Sequence, residues 1–175
     1  MKTFEEVFES LPGNGWLTEG EARLLWAFAG QFEGSILEVG CYEGRSTVLL
    51  ANLGRTLWCV DPFDGFADGR TGEEVHDKWF ANVYGRNMTD VHLVRLKIED
   101  WLYPIPVKFA YLDGDHTAEG TRKQIEVALS CGAEGITIHD VNDSGGGLPI
   151  KEVALEMLGP WESRVERLAT WRVKR

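Results

Sequence analysis

The sequence predicts an α/β fold: a doubly wound, mostly parallel, Rossmann-like sheet of about seven strands, with helices on both faces and a C-terminal antiparallel hairpin. Three observations carry this prediction. Short apolar runs alternate with amphipathic helical stretches along most of the chain. One run, Ile36, Leu37 and Val39, feeds a Gly-rich turn, Gly40-Cys41-Tyr42-Glu43-Gly44, and then a helix opened by Arg45-Ser46-Thr47. Successive runs also end in polar residues: Glu38 to Gly44, Asp61, Glu99-Asp100, Asp113-Gly114-Asp115-His116 and His139-Asp140. Ligands of open α/β sheets bind at the carboxyl ends of the strands, so these residues mark one site.

The size of 175 residues suits one domain, 1–175, with covering helices over 1–33 and the α/β core over 34–175. A net charge of −10 argues against nucleic acid or an anionic membrane as the main partner. The chain shows neither a basic-then-apolar start nor an apolar run of membrane length, so a soluble cytoplasmic protein is expected. Cys41, Cys59 and Cys131 lie in or beside apolar segments without metal or disulfide spacing and read as reduced buried thiols.

Thr3 with Glu6 and Thr18 with Glu21 form two capping boxes, each opening a helix that covers the sheet. Trp16, between those helices, suits either a wall of the active site or plain packing. The glycine turn follows the first strand. Its glycines allow close backbone approach, and the free N–H groups of the first helical turn face a ligand. The spacing is Gly-x-x-x-Gly, not the Gly-x-Gly-x-x-Gly of dinucleotide sites. A carboxylate at Glu38 would repel a pyrophosphate but suits an ammonium or a hydroxyl, which favours a cationic cofactor over NAD.

Thr56 to Val60 is a second strand, ending at Asp61, where such folds place an acid on ribose hydroxyls; Asp61-Pro62 also reads as a bare turn. Phe63 to Gly72 is a long polar loop, and a helix runs from Glu73 to Tyr84. Val91 to Lys97 forms a third strand; Glu99 and Asp100 beyond it suit either an adenine amine or solvent. Val107 to Leu112 is a fourth strand, a helix follows Thr117, and Gly135 to Ile138 is a fifth strand. The loop Val141 to Leu148 is Gly-rich and reads as flexible; an amphipathic helix through Leu158 leads to a tail of two short strands broken near Thr170.

If strands four and five pair, Asp113 and Asp140 lie about 5 Å apart. Carboxylates that close repel unless a cation or a proton sits between them. An Mg²⁺-like ion would suit them, with Asn142 or His139 as a further ligand; a helix cap and a solvated acid are the structural alternative. Strand alternation points His139 away from Asp140. His116, three residues after Asp113, is the stronger base candidate, its ordinary pKa lying near working pH.

The stretch Glu38-Val39-Gly40-Cys41-Tyr42-Glu43-Gly44-Arg45-Ser46 resembles the first motif of class I S-adenosylmethionine-dependent methyltransferases, and its spacing is especially similar to catechol O-methyltransferase and other cation-dependent O-methyltransferases. Leu112 to His116 (LDGDH), with Ile138 to Val141 (IHDV), resembles the sugar and small-molecule O-methyltransferases of antibiotic biosynthesis and their cephalosporin-pathway relatives. The resemblance covers Trp16 to Leu158. It implies O-methylation of a small-molecule hydroxyl, a sugar or a phenol, with S-adenosylmethionine as donor and Mg²⁺ as a metal partner. It further implies cofactor contacts from Glu38, Gly40, Cys41, Tyr42, Gly44, Ser46, Asp61, Pro62, Phe63, Glu99, Asp100 and Asp113. Metal ligation falls to Asp113, His139 and Asp140, and catalysis to His116 with Asp113 and Asp140. His116 stands where catechol O-methyltransferase has its lysine base, and position 139 is His where the cation-dependent enzymes carry a carboxylate. Alternative readings of the residues are an NAD- or nucleotide-binding oxidoreductase, a hydroxylase-like enzyme of the antibiotic pathways and a catalytically silent cofactor-binding module. The acceptor and any homo-oligomer stay open.

Overall fold

The computed structural model describes residues 2–13, 15–64, 69–101, 105–142 and 147–174. Residues 65–68 of the expected polar loop and 143–146 of the expected flexible glycine loop lie outside the described residues. Helices α1 (Phe4–Glu9) and α2 (Glu19–Ala29) each begin with a complete capping box, at Thr3/Glu6 and Thr18/Glu21. The order then runs β1 (Ile36–Val39), α3 (Arg45–Ala51), β2 (Leu57–Val60), α4 (Gly72–Val83), β3 (Val91–Val94), β4 (Phe109–Leu112), α5 (Ala118–Ser130), β5 (Gly135–Ile138), α6 (Leu148–Leu158), β6 (Ser163–Val165) and β7 (Leu168–Arg172).

The seven strands form one sheet in the order β3-β2-β1-β4-β5-β7-β6. β1 to β5 are parallel, and β7 runs antiparallel to both β5 and β6. The strand order reverses between β1 and β4, the switch point at which such sheets open a crevice. The tail forms the expected antiparallel hairpin at the sheet edge, with β6 outermost and β7 joined to β5. Its break lies at the turn before β7 rather than at Thr170, which pairs with Thr137 and Ser163 inside the sheet. β3 and β4 are each shorter than the apolar pattern suggested.

Two apolar layers flank the sheet. Ile36, Leu57, Cys59, Phe109 and Tyr111 face α1 to α4, while Leu37, Val39, Val60, Ala110 and Leu112 face α5 and α6. The period-2 alternation that sorts these residues also decides the fate of Glu38. Glu38 stands in register with Cys59 and Tyr111, and so points into the first layer, fully buried. There it accepts hydrogen bonds from Ser46 Oγ (2.5 Å) and Thr47 Oγ1 (2.7 Å), and Trp79 Nε1 donates to Thr47 Oγ1 (3.1 Å). One buried carboxylate thus links β1 to the start of α3 and, through Thr47, to α4.

Burial pushes the Glu38 carboxyl up to about 7 against its ordinary 4.5, even though Ser46 and Thr47 bond its charged form. The folded state therefore holds a proton that the unfolded chain has already lost between those values, and stability falls as pH rises from about 5 to 7.5. Glu38→Gln, which mimics the protonated form, is expected to flatten this fall by roughly 2–3 kcal/mol. Urea midpoints measured across that window check it; equal slopes for the two proteins would refute it.

Candidate active site

A cavity of about 650 Å³ opens over the carboxyl ends of the central strands, within the range of small-molecule sites. Gly40, Cys41, Tyr42, Ser46, Asp61 and Pro62 line one half, with Glu99 beyond them; Asp113, His116, His139 and Asp140 line the other. Glu38, Gly44, Phe63 and Asp100, also expected there, do not line it. Glu38 lies beneath the turn for the reason just given. Gly44 serves as the left-handed N-cap of α3 (φ 86°), close against Trp79 and Val83. Phe63 is buried with its ring against His76 and Trp79. Asp100 is exposed at the end of a single 3-10 turn, Ile98–Asp100.

The glycine turn is shaped by the strand beside it. Gly40 has φ 82°, and a Cβ there would lie 2.1 Å from the carbonyl oxygen of Asp113, so only glycine lets the β1 and β4 tips approach. Asp61 then sets the turn. Its Oδ2 accepts the N–H groups of Cys41 (2.7 Å) and Tyr42 (3.0 Å), and its Oδ1 accepts that of Phe63 (2.7 Å). A carboxylate has about four acceptor sites, so one is left for a hydroxyl from the cavity. Burial pushes Asp61 up to about 6 in spite of these backbone bonds.

The second half of the cavity is a cluster of charges. β4 pairs with β5, so Asp113 and His139 follow paired Leu112 and Ile138. His139 Nδ1 lies 3.3 Å from Asp113 Oδ1 and 3.6 Å from Asp140 Oδ2. Alternation was expected to point His139 away from Asp140, and the reason it does not is local. Asp140 is left-handed (φ 55°), which ends the strand and folds its carboxylate back beside the ring. His116 joins from the start of α5, with Nε2 3.5 Å from Asp113 Oδ1 and Nδ1 3.7 Å from Asp140 Oδ2.

Electrostatics follow from this crowding. Burial alone would raise Asp113, but His139 and His116 outweigh it and hold the carboxyl at about 2. Burial alone would lower His139, but Asp113, Asp140 and Glu21 push it up to about 12. The bond to His139 lowers Asp140, and the contact with Asp113 raises His116. Three carboxylates thus select a positive charge at one spot, a proton or a divalent ion.

The donor set tests the second option. One atom each from Asp113, His139 and Asp140 lie within 4.8 Å of one another, and the His139 ring, buried at 3% exposure, turns Nδ1 toward both carboxylates at 3.3 and 3.6 Å. Two carboxylate oxygens and an imidazole nitrogen fit a divalent ion.

Of the two readings the sequence left for Trp16, the wall holds: it lines the cavity, tilted on Tyr42 at 4.9 Å between ring centres. Two further neighbours carry no local signal in the sequence. Arg167, from the β6–β7 turn, donates to Asp140 Oδ1 (2.9 Å) and to the Trp16 carbonyl (3.1 Å). Glu21 reaches His139 Nε2 at 3.4 Å; its position in a capping box gave no hint of this.

Comparison with solved structures finds this fold in methyltransferases. CalS11, a TDP-rhamnose 3′-O-methyltransferase of calicheamicin biosynthesis, is 15% identical with a TM-score of 0.63, over 97% of this chain and 90% of that one. An O-methyltransferase from Bacillus cereus in complex with SAH is 18% identical with a TM-score of 0.65, over 97% and 90%. An rRNA methylase from Streptococcus thermophilus is 14% identical with a TM-score of 0.62, over 91% and 100%. At these identities the likeness shows a shared fold. No curated protein matches the chain. Residues 37–141, from the first strand through both acidic strand ends, match the family described as "Methyltransferase domain", and the chain belongs to that family.

Proposed function

We propose that the chain transfers a methyl group from S-adenosylmethionine to a hydroxyl oxygen of a small molecule. One observation carries this reading. A single cavity joins the glycine turn and Asp61 to the Asp113–His116–Asp140 cluster, so a donor site and a base share one space. The family match supports methyl transfer, the SAH complex of the Bacillus cereus neighbour supports the donor, and the net charge of −10 supports a small acceptor over RNA. Neither comparison lends anything to an oxidoreductase.

S-adenosylmethionine, when bound, supplies a methyl group on a positively charged sulfur. Gly40 gives the turn its close approach, and Asp61 offers its remaining lone pair to a ribose hydroxyl. Glu99, at the far edge, lies where an adenine amine would be met. On the acceptor side, His116 takes the hydroxyl proton on a ring nitrogen, and Asp113 and Asp140 stabilise the imidazolium that results. A divalent ion held by Asp113, His139 and Asp140 would make a bound hydroxyl more acidic. Fixing the two reactants in line accounts for most of the acceleration.

Two outcomes are expected. Asp61→Ala weakens SAH binding by about tenfold or more, since one hydroxyl contact to a charged group and the shape of the turn are both lost; calorimetry measures it, and unchanged affinity would remove Asp61 from the donor site. His116→Gln lowers the rate of transfer from labelled donor to a panel of sugars and phenols by about 10²–10⁴-fold while SAH affinity stays the same. A rate that survives the substitution excludes His116 as the base, and wild-type protein that binds no SAH excludes the function.

A further inference from the structure

We infer that the acceptor is a ring hydroxyl compound free of phosphate and carboxylate groups, that a protonated amine on it is favoured, and that Asp115 makes the distinction. This deepens the reading above and rests on it for the acceptor's hydroxyl; the charge preference of the cavity wall is measurable without turnover.

An anionic group is recognised by a cation with donors to spare, and the cations here are committed to the protein itself. Arg45, Lys97 and Arg167 are the permanent cations that line the cavity among the described residues. Arg45 turns its guanidinium toward α1: Nε donates to the Leu17 carbonyl (3.2 Å), Nη1 donates to that of Pro12, and Cζ stands 5.3 Å from the centre of the Phe8 ring. Arg167 has an oxygen of the protein beside each of its three nitrogens: Asp140 Oδ1 at Nη1 (2.9 Å), the Trp16 carbonyl at Nη2 (3.1 Å) and Glu21 Oε1 at Nε (3.8 Å). Lys97 lies 3.6 Å from Asp64, on the Glu99 side of the cavity. His116 stands between Asp113 and Asp140, and His139 among Glu21, Asp113 and Asp140. The internal segments outside the described residues, 14, 65–68, 102–104 and 143–146, contain no Lys, Arg or His.

The acids are not so committed. Asp61, Asp64, Glu99, Asp113, Asp115 and Asp140 all line the same space. A divalent ion at Asp113 and Asp140 would be balanced by those two carboxylates and leave the others as they are. Asp115 is the acid nearest in the chain to the proposed base, and it is exposed with no cation paired to it among the described residues. It is also held in place: Oδ1 accepts the Thr117 N–H (2.8 Å), and Gln124 Nε2 donates to its carbonyl (2.8 Å). Another wall is the indole of Trp16, 60% exposed and tilted on Tyr42. A protonated amine is attracted by an aromatic face and by a carboxylate alike. A phosphate or carboxylate meets like charge in a cleft whose walls focus the field, which selects against it.

The test has two arms on the full chain. In the first, transfer from labelled donor in Mg²⁺ buffer is measured on two matched sets: glucosamine, glucose and glucose 6-phosphate, then tyramine, 4-ethylphenol and 4-hydroxyphenylacetate. Within each set kcat/KM is expected to fall in that order, the amine exceeding the anion by about tenfold or more at low salt and by less at high salt. Asp115→Asn keeps an oxygen for the Thr117 N–H; it should cut the amine-to-anion ratio by at least about threefold while the neutral compound keeps its rate. A residue that only shapes the loop would lower all three alike. An anion accepted as well as its neutral counterpart overturns the inference, and a ratio unmoved by Asp115→Asn overturns the role of Asp115. The second arm needs no acceptor. Quenching of Trp16, read as the difference between wild type and Trp16→Phe, is measured in chelator with caesium and with iodide, each relative to free N-acetyltryptophanamide. Caesium is expected to be favoured by about threefold or more at low salt. Asp115→Asn should reduce that preference, whereas Glu33→Gln, an equal change of charge on an exposed residue at the amino ends of the strands, should not. Equal quenching by the two ions overturns the inference. Where none of the six compounds is methylated, quenching alone decides it; absent SAH binding refutes the proposed methyl transfer and leaves the charge preference standing or falling on this arm.

Discussion

Glu21 is the contact on which the acceptor end of the molecule depends. It is the third residue of α2, wholly buried, and it bonds backbone or side chain from three separate parts of the chain: Thr18 before its own helix, Arg167 in the β6–β7 turn, and His139 at the end of β5. Burial would raise its carboxyl, yet the His139 bond and the Thr18 and Arg167 N–H groups hold it at about 2. A buried charge so held cannot lose one partner without stranding the rest, which makes the tie far stiffer than its net contribution to stability. The covering helices, the sheet and the tail hairpin are locked to one another at the point where the chemistry is proposed.

The donor end rests on a different pair of acids, and their contrast is instructive. Glu38 and Asp61 both sit at the carboxyl ends of neighbouring strands, and both are buried. Glu38 is the third residue of β1, so its side chain is committed to one face of the sheet and serves α3 through Ser46 and Thr47. Asp61 comes one residue after β2 ends, free of the pleat, and turns over the sheet edge to gather three backbone N–H groups. A shift of two positions relative to the strand end decides whether an acid supports the turn or lines the cavity.

That distinction also explains what the sequence could reveal. Local signals were legible: the two capping boxes, the strand–glycine turn–helix unit and the bounds of β5 all depend on residues a few positions apart. The pairing of β4 with β5 was legible too, because sequential parallel strands joined by one helix tend to be neighbours. What stayed hidden depends on distant partners or on a single dihedral. Arg167 meets Glu21 across 146 positions and Asp140 across 27, and no pattern in the tail announces it. That β7, and not β6, joins the edge hairpin to the sheet needs β5 as a template, so the weak tail alternation alone did not show it. The left-handed turn at Asp140 reverses an inference from strand periodicity that holds only while the strand continues.

The same accounting locates acceptor recognition. The tips of β1 and β2 are occupied with shaping the glycine turn, and those of β4 and β5 with the charged cluster, so the sheet has few side chains left to read a substrate. The remaining walls come from outside it. Trp16 is 60% exposed, leans on Tyr42, and has its carbonyl bonded by Arg167, whose guanidinium also grips Asp140. The N-terminal loop and the hairpin turn therefore meet at the cavity wall, joining an aromatic face to a fixed positive charge that also bonds Asp140. On the proposed reaction, a flat or sugar-like ring would pack on the indole while its hydroxyl points down to His116. Acceptor choice would then vary with residues 15–17 and 166–167, which lie outside the strand tips that shape the glycine turn and the charged cluster.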